Sequence, residues 1–66
     1  MKFDCVFDNG VFIIAKPSGW SWSAEEQSRY DIIEADVPDD LAYDQTVTVN
    51  GVEVPASAFG VVEEPI

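Results

Sequence analysis

The 66-residue sequence predicts a small, mostly β domain. Two observations carry that prediction, and a third limits the helix content. Asn-Gly occurs twice, at Asn9-Gly10 and Asn50-Gly51, each time between two apolar, β-favourable runs. Asn-Gly is the preferred pair for a two-residue hairpin loop, because both central residues need positive φ. The apolar pattern on either side of each pair then agrees with a hairpin register. A helix-start signature at Ser23 to Glu26 leaves room for only a short helix before an extended run that ends at Val37-Pro38. Two hairpins, a middle strand and one short capped helix are expected, in a single domain over residues 1–66.

In the first hairpin a loop at Asn9-Gly10 sets Phe7 opposite Phe12, Cys5 opposite Ile14 and Phe3 opposite Lys16. Side chains alternate across a strand, so Phe3, Cys5, Phe7, Phe12 and Ile14 share one face. Cross-strand pairs of this kind contribute roughly 0.2–1 kcal/mol each. The opposite face, with Asp4, Val6, Asp8, Val11, Ile13 and Ala15, is mixed and open to partial cover.

Pro17-Ser18-Gly19 is a turn. Ser23 reads as a helix N-cap and Glu26 as its capping-box partner. Glu25 and Glu26 suit the positive end of a helix and Arg29 the negative end, which places a helix over 24–29. The run YDIIEADV, residues 30–37, reads as extended, because a residue before proline avoids helical backbone. Tyr30, Ile33 and Val37 also fit helical spacing. Pro38-Asp39-Asp40 is a turn, and Leu41 to Tyr43 is expected to form a single helical turn. In the second hairpin Val49 faces Val52 and Val47 faces Val54, while Thr48 faces Glu53 on the other side. That is the division of a half-buried antiparallel ribbon. PASAFG reads as a turn anchored by Phe59, and VVEEPI as a last strand or an arm.

Trp20 and Trp22 point to one side of an extended segment. A domain this small has few ways to fill a core, and two tryptophans supply much of one. They are expected to close the Phe-rich sheet face like a lid. The competing reading is an exposed aromatic anchor for a partner. The expected core is Phe3, Cys5, Phe7, Phe12, Ile14, Trp20, Trp22, Ile32, Val47, Val49, Val54 and Phe59.

Composition narrows the function. A chain of this length buries only about 60% of its unfolded surface, and small domains usually add disulfides, metals or partners. One cysteine and no histidine exclude an intrachain disulfide and the usual zinc cages. A hydrophobic fraction of 47% nevertheless separates the chain from disordered acidic tails. Good packing or burial against another protein remains.

The net charge is -10, and it is unevenly placed. Lys2, Lys16, Asp4 and Asp8 cancel within residues 1–24; the remaining carboxylates face a single cation, Arg29. Such a surface repels nucleic acid and anionic lipid and attracts basic proteins. Neither direct nucleic-acid binding nor membrane binding is expected. Asp4 and Asp8 break the opening apolar run, unlike a signal peptide, and no stretch approaches the roughly 20 residues that span a bilayer. A lone cysteine suits a reducing compartment, so the cytoplasm is expected.

Catalysis has little to work with. There is no histidine to act as a base, and Cys5 sits among Phe and Ile with no base beside it. No enzyme activity and no cofactor are expected. Asp31, Glu34, Asp36, Asp39, Asp40 and Asp44 lie within fourteen residues, and calcium takes six to eight oxygens. Their spacing lacks the alternating Asp and central Gly of an EF-hand loop, so no metal site is assigned. The same cluster could instead imitate DNA phosphates on a basic groove.

Residues 16–39, KPSGWSWSAEEQSRYDIIEADVPD, resemble small proteins of tailed-phage and prophage structural gene clusters. The matching residues are Lys16, Pro17, Gly19, Trp20, Trp22, Glu25, Glu26, Tyr30, Val37 and Pro38, within a stretch that covers about a third of the chain. The resemblance implies a virion or assembly component, present in the host cytoplasm during assembly and then in the particle. It carries over no catalytic role.

The expected function is therefore a non-enzymatic structural protein that docks onto capsid, connector or tail subunits, with a homo-oligomer open. The alternative is an acidic DNA mimic that inhibits a basic DNA-binding protein. Candidate partner-binding residues are Trp20, Trp22, Tyr30, Asp36, Asp39, Asp40, Tyr43, Val61 and Val62.

Overall fold

Asn9 and Asn50 adopt positive φ, at 51° and 53°, each followed by a glycine at 78° and 77°. Both Asn-Gly pairs are thus the tight turns that their residue types favour. A computed structural model describes residues 1–62. In chain order its elements are β1 (Lys2–Asp8), β2 (Val11–Pro17), α1 (Ala24–Arg29), β3 (Asp31–Asp36), β4 (Thr46–Val49), β5 (Val52–Pro55) and a 3-10 helix, Ala56–Phe59. β1, β2 and β3 form an antiparallel sheet in the order β2-β1-β3, and β4 and β5 form a two-stranded sheet. The fold is mostly β, as expected. β3, the middle strand of the sequence, is an edge strand in space.

The helix has the cap that its sequence indicates. Ser23 Oγ accepts from the Glu26 amide, and the Glu26 carboxylate accepts from the Ser23 amide, at 3.1 and 3.0 Å. Its six residues bury none of their number, so the cap and the packing at its two ends hold it.

The second hairpin keeps the expected register, with Val47 opposite Val54, Thr48 opposite Glu53 and Val49 opposite Val52. The first does not. Phe7 faces Phe12, but Val6 faces Ile14, Cys5 faces Ala15 and Phe3 faces Pro17. Ile13 is an extra residue, a β-bulge. Because alternation has a period of two, one extra residue sends every later side chain of β2 to the opposite face.

One face of the three-stranded sheet carries Phe3, Cys5, Phe7, Ala15, Ile33 and Ala35. This is the core face, joined by Val37, Val49, Val54 and Phe59. Phe59 packs edge-on against Phe3 with ring centroids 5.1 Å apart, and Phe7 against Phe12 at 5.8 Å. The Ala56 amide donates to the Gln45 carbonyl at 3.0 Å, closing the second hairpin onto its own entry. The second face carries Lys2, Asp4, Val6, Ile14, Lys16, Ile32, Glu34 and Asp36. Val6 is 2% exposed there, although it lies outside the core cluster.

Several expectations change with the register. Ile14, expected in the core, is 41% exposed, because the bulge turns it out. Ile32 lies on the second face, and its neighbour Ile33 packs on the core. Trp20 and Trp22 do not close the Phe-rich face: neither belongs to the core cluster, and the Trp22 indole bonds Asp4 on the second face. Phe12 and Val47 are half-buried against the core. Val37 and Ala56 are buried, which the sequence reading did not foresee. Leu41 to Tyr43 is not a helical turn; two successive tight turns divide it, Leu41 N to Pro38 O at 3.3 Å and Gln45 N to Ala42 O at 3.0 Å. The Gln45 side chain accepts from the Ala42 amide, which holds the second turn without helix. Val61 and Val62 lie in neither strand nor helix, and residues 63–66 of the expected strand or arm lie outside the described residues.

The Phe3–Phe59 contact joins the three-stranded sheet to the 3-10 helix that follows β5, so Phe59→Ala is expected to cost about 3–5 kcal/mol. That is a large part of the roughly 5–15 kcal/mol available to a small domain. Urea denaturation followed by tryptophan fluorescence measures it. A loss below about 1 kcal/mol, within the range of surface changes, would show that the hairpins do not depend on each other.

Candidate functional site

The second face is built in rows across the strands. Ile14, Val6 and Ile32 form one row; Lys16, Asp4 and Glu34 form the next; Lys2 and Asp36 follow. The segment after β2 folds over this face. Ser18 donates its amide to the Lys2 carbonyl at 2.9 Å and its hydroxyl to the Glu34 carboxylate at 3.2 Å. Lys2 Nζ lies 3.6 Å from the same carboxylate.

The two tryptophans have separate roles on this face. Trp22 is half-buried, and its Nε1–H donates to Asp4 Oδ2 at 3.0 Å. Gln27 donates its side-chain amide to the Trp22 carbonyl at 3.0 Å, where an apolar staple residue would otherwise sit. Trp22 is therefore tied to the second face, the side on which Val6 lies. Trp20 is 51% exposed. Its amide donates to the Pro17 carbonyl at 3.1 Å, and Lys16 Nζ lies 4.7 Å from its ring centroid. A turn and a cation–π contact thus hold an exposed indole in place.

The other candidate residues are distributed elsewhere. Tyr30 is half-buried at the end of α1, with the Arg29 guanidinium 5.4 Å from its ring centroid. Asp36 and Asp39 meet around the Met1 amino group, at 3.8 and 3.1 Å, and that nitrogen also donates to the Val37 carbonyl at 2.7 Å. Asp40 is exposed in the following turn, and Tyr43 is 52% exposed in the next. Val61 is half-buried and donates its amide to the Ala56 carbonyl at 3.3 Å; Val62 is exposed.

A larger apolar surface lies where no candidate was named. Val11 is 62% exposed and Ile13 is 51% exposed, beside Ile14. All three sit on β2, an edge strand of the sheet. A regular strand would turn one of two consecutive residues inward; the bulge at Ile13 leaves Ile13 and Ile14 both out. Nothing local in VFII marks a bulge, because every residue there favours strand. The two free edges differ in kind. β3 carries Asp31, Glu34 and Asp36, the charges that normally guard an edge, whereas β2 has Lys16 and Pro17 only at its far end.

Cys5 is fully buried; burial pushes its thiol pKa up, and the Asp4 carboxylate beside it adds to the shift. A thiol in that setting is a poor nucleophile. Among the described residues no pocket opens, no group of three or more Cys, Asp or Glu converges as a metal site, and no helix is long and apolar enough to cross a membrane. Comparison with protein-family models, curated proteins and solved structures finds no match to this chain.

Trp22→Phe keeps an aromatic ring but removes the bond to Asp4. Hydrogen bonds to charged groups contribute about 1.5–3 kcal/mol, and partial exposure lowers that, so a loss of about 1 kcal/mol is expected. Trp20→Phe is expected to stay within about 0.5 kcal/mol, as surface changes do. Thermal or urea melts of the two variants compare them; equal losses would contradict the separate roles.

Proposed function

We propose that this chain is a non-enzymatic protein-binding component that docks onto a larger assembly through the outward side of β2 and Trp20. One observation carries the reading: the bulge at Ile13 displays Val11, Ile13 and Ile14 together on an unpaired sheet edge. Fully burying such side chains is worth about 1.5–3 kcal/mol each, and leaving them exposed carries an aggregation hazard. Trp20 adds a positioned aromatic of the kind that anchors interfaces. The resemblance of residues 16–39 supports a tailed-phage particle as the assembly, with the chain as capsid decoration, connector or tail component. On that reading it passes through the host cytoplasm before it joins the virion.

A second reading has its own support. The β3 edge and the turn after it present Asp31, Glu34, Asp36, Asp39 and Asp40, all exposed, as an acidic border opposite the apolar one. That border suits an inhibitor that takes the place of DNA on a basic protein. The two readings part on salt, which screens exposed charges beyond about 8 Å at physiological ionic strength but leaves apolar contacts intact.

Tagged protein is incubated with lysate from infected or prophage-induced host cells and washed at low and then high salt. Capsid, connector or tail subunits are expected to stay at high salt. The Ile13→Ser/Ile14→Ser variant is expected to retain them at least about tenfold less, and the Asp36→Asn/Asp39→Asn/Asp40→Asn variant as well as the parent. A nuclease, polymerase or repressor that leaves in high salt, and is lost from the Asn variant, would contradict docking and favour the mimic.

A further inference from the structure

We infer that the free edge of β2 is occupied by β2 of a second copy of this chain, antiparallel about a two-fold axis, with Lys16 of each copy meeting Asp8 of the other. This rests on the reading of β2 as a docking edge: the second copy takes the strand edge, and the outward face that carries Val11, Ile14 and Trp20 is left to the assembly.

A two-fold contact must be self-complementary, because the same patch serves both sides. β2 and its neighbour meet that condition. Asp8 stands beside Val11 at one end of the strand, Lys16 stands at the other, and Ile13 and Ile14 lie between. Antiparallel pairing lays the start of one strand on the end of its partner. Val11 then lies opposite Lys16 of the partner subunit, and Asp8 lies one strand further in. Strands are about 4.8 Å apart, so the two charged residues start about 10 Å apart at Cα, a gap that a lysine and an aspartate can bridge. They also share a face. Asp8 continues the alternation of Asp4 and Val6, and Lys16 pairs with Asp4 on that same side.

Among the described residues neither Lys16 nor Asp8 makes an ion pair, whereas Lys2 holds Glu34. Lys16 makes only the cation–π contact with Trp20, which leaves its ammonium without a carboxylate partner. At the centre the bulge interrupts the regular ladder, so the contact there is made by the isoleucine side chains.

The charge distribution selects this edge. Two chains of net charge -10 repel one another, but residues 1–24 sum to zero, and β2 lies within them. Pairing through β3 would bring Asp31, Glu34 and Asp36 of two copies together, and like charges across a strand pair destabilise it. A small core without disulfide or metal gains from a shared sheet of six strands.

The test is sedimentation of the full chain from low micromolar to millimolar concentration near physiological salt. A monomer–dimer equilibrium is expected. Lys16→Asp and Asp8→Lys are each expected to weaken it about tenfold, since each dimer holds two such contacts and each substitution turns attraction into repulsion. The double variant, Lys16→Asp with Asp8→Lys, is expected to return to within about threefold of the parent, because the exchanged charges meet again. Circular dichroism confirms that each variant is folded; Asp8 is exposed and has no side-chain bond among the described residues, so Asp8→Lys is the cleaner single change. A parent that stays monomeric at millimolar concentration overturns the second copy. So does a dimer that the double variant fails to restore. If, in that case, phage subunits still stay on the Ile13 and Ile14 surface at high salt, docking stands with a different occupant. A dimer that Ile14→Asp leaves intact overturns the second copy and contradicts the docking edge with it.

Discussion

Cys5, Val6 and Phe7 are consecutive, and all three are buried, at 0, 2 and 0% exposure. Neighbouring residues of a strand point to opposite faces, so β1 needs cover on both sides. A 66-residue chain has little material for two covers. The second hairpin and the 3-10 helix supply one, through Phe59, Val49 and Val54. The segment after β2 supplies the other, pinned where the Trp22 indole meets Asp4 and where Ser18 meets Glu34. The capped helix is a consequence of that second cover. It returns the chain from Trp22 to the start of β3, which then pairs with the opposite side of β1.

With β1 covered on both faces and paired on both edges, the exposed apolar material falls on its neighbours. β3 is flanked by carboxylates and needs nothing more. β2 is not, and the bulge adds to its exposure where a regular strand would have hidden one isoleucine. An extra residue that increases apolar exposure gives the isolated domain no evident gain in stability. A gain on contact with another surface would account for it, and this is why we propose β2, and not the acidic turns, as the docking edge.

Much of the fold was legible in the sequence. Both Asn-Gly turns, the Ser23–Glu26 capping box, the extended run before Pro38 and the register of the second hairpin follow from local chemistry. The tryptophan placement was not legible. Alternation equates a residue's parity with its face, and the bulge at Ile13 breaks that link inside a run, VFIIA, where no residue signals it. Reading through the bulge put Ile14 in the core and left Val6 on a mixed, half-covered face. The tryptophans were assigned to the Phe-rich side on a separate ground, the volume that a small core needs, and no local signal ties Trp22 to Asp4 across 18 residues. The docking candidates change on both counts: Trp20 stands as an exposed aromatic, Trp22 is tied to the second face, and Val11, Ile13 and Ile14 were passed over. Val37 escaped notice because its burial depends on its amide meeting the Met1 carbonyl at 2.6 Å, a contact between distant parts of the chain.

The bulge is the claim on which the faces, the cover and the docking edge all turn, and cross-strand nuclear Overhauser contacts within the first hairpin test it directly. Backbone contacts between Val6 and Ile14 and between Cys5 and Ala15 are expected. Contacts between Cys5 and Ile14 and between Phe3 and Lys16 would mean a regular hairpin with Ile14 facing inward. The outward isoleucines, and the function placed on them, would then be lost.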